Sequence, residues 1–301
     1  MKSGFVSLVG RPNVGKSSLV NALVGAKVAI ISEKPQTTRR RIMGVRHFPG
    51  GQMVFLDTPG LHKPKTRLGE EMVRQAMGAL SGVDVVGMVV DLSFPPGPGD
   101  REVARRVAQA EGEGLQKILI LNKSDLLRGE GREERIAAYR SLLPPETPFF
   151  VVSAVTGEGL PELLAWLEEH LPEGPPYFPE GQWTDQPEEL LLAEIIREQI
   201  LHHLREEVPH ASAVLVEAME PRPGGLVYVP ATIYVEKESQ KGIVIGKGGQ
   251  MLKAIGQAAR EEAERILGTR LYLDLRVKVK EDWRDRVGTL VELGLWEREK
   301  P

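Results

Sequence analysis

Gly10-Arg11-Pro12-Asn13-Val14-Gly15-Lys16-Ser17 fits the pattern G-x-x-x-x-G-K-[ST], and its neighbours restrict the folds that can carry it. An apolar run, residues 5–9, precedes it, and a helical pattern over 17–24 follows. A strand that turns through such a loop into a helix is a phosphate cradle. Its glycines let backbone N–H groups curl round the phosphates, and the helix N-terminus favours negative charge. Lys16 is placed to reach the terminal phosphates and Ser17 to ligate Mg²⁺. The candidate phosphate contacts run from Gly10 to Ser18.

The rest of the first 170 residues agrees with that opening. Near-continuous apolar runs at 5–9, 53–57, 85–91, 117–122 and 149–153 read as strands buried on both faces of a parallel sheet. A further strand at 42–48 reaches 53–57 through Pro49-Gly50-Gly51, a link so short that the two must form an antiparallel hairpin. Helical patterns at 17–24, 68–81, 101–112, 133–143 and 160–170 lie between the strands. The expectation is a doubly wound α/β domain over 1–172 with a six-stranded, mostly parallel sheet. Residues 173–187 are proline-rich and read as a semi-rigid linker. Residues 188–301 then follow the order α-β-β-α-α-β, a small α+β domain, with a closing C-terminal helix.

Three more motifs sit at strand ends. In Asp57-Thr58-Pro59-Gly60 the carboxylate can hold Mg²⁺ through water and the Gly60 N–H can sense a γ-phosphate. Asn122-Lys123-Ser124-Asp125 selects the base. Guanine offers N1–H and N2–H₂ as parallel donors to the Asp125 carboxylate, whereas adenine would leave that carboxylate unpaired. Asn122 is expected to contact the base edge and hold the phosphate loop, and the Lys123 stem to lie over the ring. Ser153-Ala154 can supply a backbone N–H to the guanine O6.

In the last domain Ile245-Gly246-Lys247-Gly248-Gly249 is a G-x-x-G turn between two helices, where glycines let a nucleic-acid backbone touch the peptide backbone. The order of elements around it resembles a type II KH domain. Lys237, Lys241, Lys247 and Lys253 surround the turn, against Glu236 and Glu238. Ile243, Ile245 and Ile255 read either as a groove floor for bases or as plain core. Bulk charge hides this patch: the chain is −3 overall, and residues 181–301 hold 17 Lys+Arg against 21 Asp+Glu. The chain has no cysteine, so disulfides, thiolate metal sites and cysteine nucleophiles are excluded. No run approaches the ~20 apolar residues of a membrane-spanning helix.

The phosphate loop GRPNVGKSSLVNAL and the stretch PQTTRRR at 35–41 resemble the Era family of translation-factor-class GTPases, and the GTPase–KH layout extends that resemblance over nearly the whole chain. The resemblance implies GTP hydrolysis, binding of the 3′ end of small-subunit ribosomal RNA and a role in small-subunit assembly. It implies an effector loop at 35–41, with Thr38 as the Mg²⁺ and γ-phosphate sensor and Thr37 as its alternative. Arg39-Arg40-Arg41 reads equally as a solvated run or as a patch facing RNA or a partner. Leu61 stands where Ras-like enzymes carry the glutamine that orients the attacking water, a substitution this family shares. By analogy with related tRNA-modification GTPases, Asn13 could ligate a K⁺ placed where an arginine finger would stand, or it could simply stabilise its loop. Lys16, Thr38, Gly60 and Asn13 are thus the candidate catalytic residues. A cytoplasmic monomer with peripheral contact to the inner face of the plasma membrane completes the family expectation. Leu61 keeps open a second reading, an RNA-binding module with a structural, slowly hydrolysed nucleotide. The related double-GTPase ribosome-assembly family is disfavoured, since this chain has one phosphate loop.

Overall fold

The structure, a computed structural model, describes residues 1–61, 64–127 and 129–296. Its contacts form two compact units. The first comprises Met1–Ala29, Thr38–Pro64 and Met72–Asp185; the second comprises Ile30–Thr37, Lys65–Glu71 and the residues from Gln186 on. Residues 297–301, the end of the expected last domain, lie outside the described residues.

The first unit is built on six strands: β1 (Lys2–Val9), β2 (Ile42–Phe48), β3 (Gly51–Asp57), β4 (Val85–Asp91), β5 (Gln116–Asn122) and β6 (Phe149–Val151). They lie in the order β2-β3-β1-β4-β5-β6, with only β2 antiparallel to its neighbour. The hairpin expected from Pro49-Gly50-Gly51 closes with Gly50 in the left-handed region, φ +88°. The helices are α1 (Lys16–Val24), α2 (Arg67–Gly78, its residues up to Glu71 grouped with the second unit), α3 (Pro98–Gln109), α4 (Arg132–Arg140) and α5 (Leu160–His170). Val85 and Val89 of β4 pack with Leu19 and Leu23 of α1 and Leu163 and Leu167 of α5. Val86, Met88 and Val90 face the opposite way, with Val103 and Val107 of α3 and Tyr139 of α4. Both faces are buried, which is why the strand sequences lack polar alternation.

The proline-rich stretch after α5 lies on this unit up to Asp185. Glu173 bridges to Lys2 and Thr184 to Gly44. Val45 N–H donates to the Trp183 carbonyl at 2.9 Å, and Gln52 in β3 receives the N–H groups of Tyr177 and Phe178 at 2.7 and 3.0 Å. The open edge of β2 is therefore covered by short bridges from residues 182–185 instead of another full strand, which blunts edge-to-edge association.

The second unit contains α6 (Glu188–His203), β7 (Ala213–Val216), β8 (Glu220–Arg222), β9 (Leu226–Val235), α7 (Glu238–Ile245), α8 (Gln250–Leu267), β10 (Arg270–Val279) and α9 (Val287–Glu292). Its sheet runs β10-β9-β7, with β8 also paired to β9. β9 and β10 are parallel, so the chain must cross over between them, and α7 and α8 form that crossover. Ile255, Ala259 and Ala263 of α8 are buried on its inner side. Trp283 is fully buried, its indole N–H on the Ala211 carbonyl at 2.8 Å. Helix α6 buries charged residues as well as leucines. Glu194 pairs with Arg197, Arg197 also donates to the Thr37 carbonyl, and Glu198 accepts the Ile31 N–H at 2.8 Å. The Lys34 ammonium reaches the Leu201 and Leu204 carbonyls, supplying donors where the helix end leaves acceptors unpaired.

Candidate functional site

The nucleotide-site candidates meet at the carboxyl ends of β1, β3, β5 and β6, where open α/β sheets bind ligands. Close approach dictates the glycines. A Cβ on Gly10 would stand 2.4 Å from the Val89 carbonyl, and one on Gly15, at φ +93°, 2.4 Å from Asn122 Nδ2. Lys16 opens α1 and is buried. Its ammonium donates to the Arg11 and Gly10 carbonyls at 2.8 and 3.2 Å. Burial pushes its pKa down to about 8, opposed by the nearby Asp57.

Ser17, Thr38 and Asp57 form one oxygen cluster. Ser17 Oγ donates to Asp57 Oδ2 at 2.6 Å, and Thr38 Oγ1 lies 2.8 Å from Ser17 Oγ and 3.3 Å from Asp57 Oδ2. Asp57 Oδ1 is buried with no hydrogen-bond partner among the described residues. Burial raises the Asp57 pKa, while the Ser17 bond and Lys16 hold it down. Two hydroxyls and a carboxylate with an unfilled buried acceptor fit a hard divalent cation that takes oxygen ligands. Of the two threonines, only Thr38 enters the cluster; the Thr37 hydroxyl donates to the Lys34 carbonyl at 2.7 Å.

Thr58 hydrogen-bonds the Leu8 carbonyl at 3.0 Å and so ties β3 to β1. Gly60 must be glycine, since a Cβ would meet the Pro12 backbone nitrogen at 2.6 Å. Leu61 donates its N–H to the Gly10 carbonyl, and its side chain packs against the α3–α4 core. Arg39 is buried at 2% exposure whereas Arg41 is exposed, so the arginine run is not a uniformly solvated face. Asn13 is exposed and left-handed, φ +67°.

The base-site residues brace the phosphate loop. Asn122 Nδ2 donates to the Val14 carbonyl at 3.0 Å, and its Oδ1 accepts the Ala154 N–H at 3.1 Å. Of the two backbone N–H groups expected to serve guanine O6, that of Ala154 is thus engaged by Asn122 and that of Ser153 by the Glu158 carbonyl at 2.9 Å. Lys123 donates to the Asn13 carbonyl at 2.8 Å and to Asp91 Oδ2 at 2.7 Å. Ser153 Oγ donates to Asp125 Oδ1 at 2.6 Å. The sequence reading missed Asp91 and the Ser153 hydroxyl. An acidic residue ending β4 was the available signal for the first; the second had none.

In the second unit the turn 246–249 joins α7 to α8. Gly246, Gly248 and Gly249 take φ of +72°, +60° and +79°. A Cβ on Gly248 or Gly249 would meet open space, so only conformation demands glycine there. Lys237, Lys247 and Lys253 are exposed and Lys241 is half-buried. Of the two opposing acids, Glu236 is neutralised by Arg284 at 2.6 and 3.0 Å. Ile243 is half exposed and Ile245 partly so, while Ile255 is fully buried. Ile255 is therefore core, not groove floor: it sits on the inner side of α8.

A family model described as 50S ribosome-binding GTPase matches residues 5–123, and a KH domain model matches residues 207–284. The GTPase Era of Carboxydothermus hydrogenoformans is 51% identical over 299 residues, covering 99% of each chain. The chain belongs to the Era family of GTPases. Era of Thermotoga maritima is 47% identical over 98% of each chain. Two solved Era structures superpose with TM-scores of 0.92 at 40% identity, each covering 98% of this chain and 99% of the other. One is a substituted Aquifex aeolicus Era bound to GDP·AlF4⁻; the other is Era with MgGDPNP and nucleotides 1506–1542 of 16S ribosomal RNA. As an Era-family enzyme the chain hydrolyses GTP to GDP and phosphate. Among the described residues no helix is long and apolar enough to cross a membrane.

Proposed function

We propose that the chain is a GTP-hydrolysing switch that binds the single-stranded 3′ end of small-subunit ribosomal RNA and assists assembly of that subunit. The GTPase occupies residues 1–172 and the KH clamp residues 188–301. The observation that carries the switch is the cluster of Ser17, Thr38 and Asp57. Because Thr38 stands beside Ser17 and Asp57, an Mg²⁺ held by them would couple the Thr38 loop to the γ-phosphate. Backbone N–H groups of the loop Gly10–Ser18, Pro12 excepted, and the Lys16 ammonium bind the phosphates, and Asp125 reads the guanine. Ser17 and Thr38 hold Mg²⁺ directly and Asp57 through water. The ion, when bound, neutralises charge on the β- and γ-phosphate oxygens. Gly60 N–H orients the γ-phosphate. The turn 246–249 clamps the RNA backbone, with Lys237, Lys241, Lys247 and Lys253 around it and Ile245 beside it.

Leu61 carries no polar atom to orient water, so we infer that Asn13 supports a K⁺ beside the transferring phosphate. Support comes from its exposed position on the phosphate loop, fixed by the Lys123 bond to its carbonyl. The test of the overall reading is GTP hydrolysis with and without the 3′-terminal rRNA segment, paired with crosslinking to total cellular RNA in GTP and in GDP. Stimulated turnover and nucleotide-dependent crosslinks at that segment are expected. Crosslinks that ignore the nucleotide, with turnover at background, would reject the switch.

A further inference from the structure

The outer face of the second unit's sheet carries a column of flat groups that ends at an open edge. Tyr228 on β9 stands opposite Tyr272 on β10. Their rings stack, with centroids 5.8 Å apart and planes 20° apart. From the other side of β9, β8 brings the Arg222 guanidinium to 5.2 Å from the Tyr228 ring centroid. The Tyr228 hydroxyl donates to Asp274 Oδ2 at 2.7 Å, and Arg276 donates to the same oxygen at 2.9 Å, so the pair of rings is held in place. β10 is the outermost strand of the sheet, and Tyr272 is 58% exposed. The column therefore runs guanidinium, ring, ring, and has room for one more flat group.

The surroundings select the occupant. Side chains alternate along a strand, so Arg270, Tyr272, Asp274, Arg276 and Lys278 share one face of β10. Arg270 lies beside the ring on one side; on the other, Asp274 is engaged by Arg276 and the Tyr228 hydroxyl, with Lys278 further along, and Glu220 beside Tyr228 is engaged by Arg222. A protein partner would be matched by aliphatic surface around the tyrosine; guanidinium and ammonium groups match a polyanion with planar units. Every base of a single strand has a π-face to stack. α7 and α8, which carry the turn 246–249, pack against the other face of β10, so a strand leaving the turn reaches Tyr272 by passing round the edge of β10. A G-x-x-G turn holds about four nucleotides, and a longer strand has to leave it along the neighbouring surface.

We propose that Tyr272, flanked by Arg270, Arg276 and Lys278, is a second subsite for single-stranded RNA, where a base stacks outside the clamp. The proposal rests on the reading of the turn 246–249 as that clamp. The experiment uses the full chain and two labelled oligoribonucleotides, the last four and the last ten nucleotides of small-subunit rRNA, followed by anisotropy. Tyr272→Ala should lose about tenfold in affinity for the ten-mer and nothing for the four-mer. Tyr272→Trp should restore the ten-mer, with indole emission quenched by the ten-mer alone. Arg270→Gln combined with Lys278→Gln should make the ten-mer's log K against log[salt] slope shallower by about 1.4, at ~0.7 per phosphate. An unchanged ten-mer affinity in Tyr272→Ala overturns the subsite, including the case where that variant loses a protein partner instead. A wild type that binds the ten-mer alone, and loses it with Tyr272→Ala, overturns the clamp and keeps the subsite. A wild type that binds neither overturns both.

Discussion

Asp125 and Ser153 show what a single side chain decides. The Ser153 hydroxyl fixes one carboxylate oxygen of Asp125 at 2.6 Å, which orients the group before a base arrives. Asp125→Asn replaces an acceptor by a donor, so guanine loses a bidentate partner while the 2-oxo group of xanthine gains one. GTP affinity should fall by several kcal/mol and XTP affinity should rise. Competitive titration of the two nucleotides checks it, and an undiminished GTP affinity would remove Asp125 from the base site. Asn13 has a kinetic consequence. If it supports a K⁺, turnover should be faster in K⁺ than in Na⁺ at equal ionic strength, and Asn13→Ala should erase the difference. Equal rates for the wild type in both salts would discard the cation. The motifs themselves were legible because each is a short run with a fixed chemical task. Their cross-links were not. Lys123 meets Asp91, and Asn122 meets both Val14 and Ala154, only because β1, β4, β5 and β6 end side by side, and no local pattern encodes that meeting.

Elements were readable where one period dominated. The strands at 85–91 and 42–48 and the helix at 160–170 coincide with β4, β2 and α5, since buried runs and amphipathic turns leave a strong signal. Ends and short pieces were harder to read. The helix expected over 68–81 stops at Gly78. β8 was missed because Glu220-Pro221-Arg222-Pro223 reads as a turn; its proline is tolerated on a short strand paired only to β9. In the proposed reading, the turn between α7 and α8 is where the RNA backbone passes. Replacing Lys247 and Gly248 together with Asp adds two carboxylates, and a Cβ at φ +60°, where a phosphate backbone must pass. RNA binding should drop sharply while GTP binding is unaffected. If the clamp neutralises about three phosphates, the wild-type log K should fall with log[salt] at a slope near −2, and the variant's slope should be visibly shallower. Titrations at several salt concentrations measure both; a folded variant with wild-type affinity and slope would make the turn a packing device.

At the scale of the whole molecule, the second unit is assembled from three separated stretches of chain, and two of them lie within the first 71 residues. This gives the protein a timetable. Ile31 finds its acceptor on Glu198, 167 residues further along, and Lys34 finds carbonyls on Leu201 and Leu204. At a synthesis rate of about 5–20 residues per second, that leaves on the order of 10–30 s in which residues 30–37 have been made but α6 has not. Chains arrested before residue 186 should be cut readily by protease within 30–37, and chains arrested well beyond residue 204 should resist; equal resistance in both would mean the loop needs nothing from α6. Thr38, the next residue along, belongs to the oxygen cluster with Ser17 and Asp57 in the first unit. Newborn protein should therefore be able to capture a guanine nucleotide through its finished base pocket before the loop that senses the third phosphate has its lasting anchor. Birth order thus separates holding a nucleotide from telling GTP from GDP.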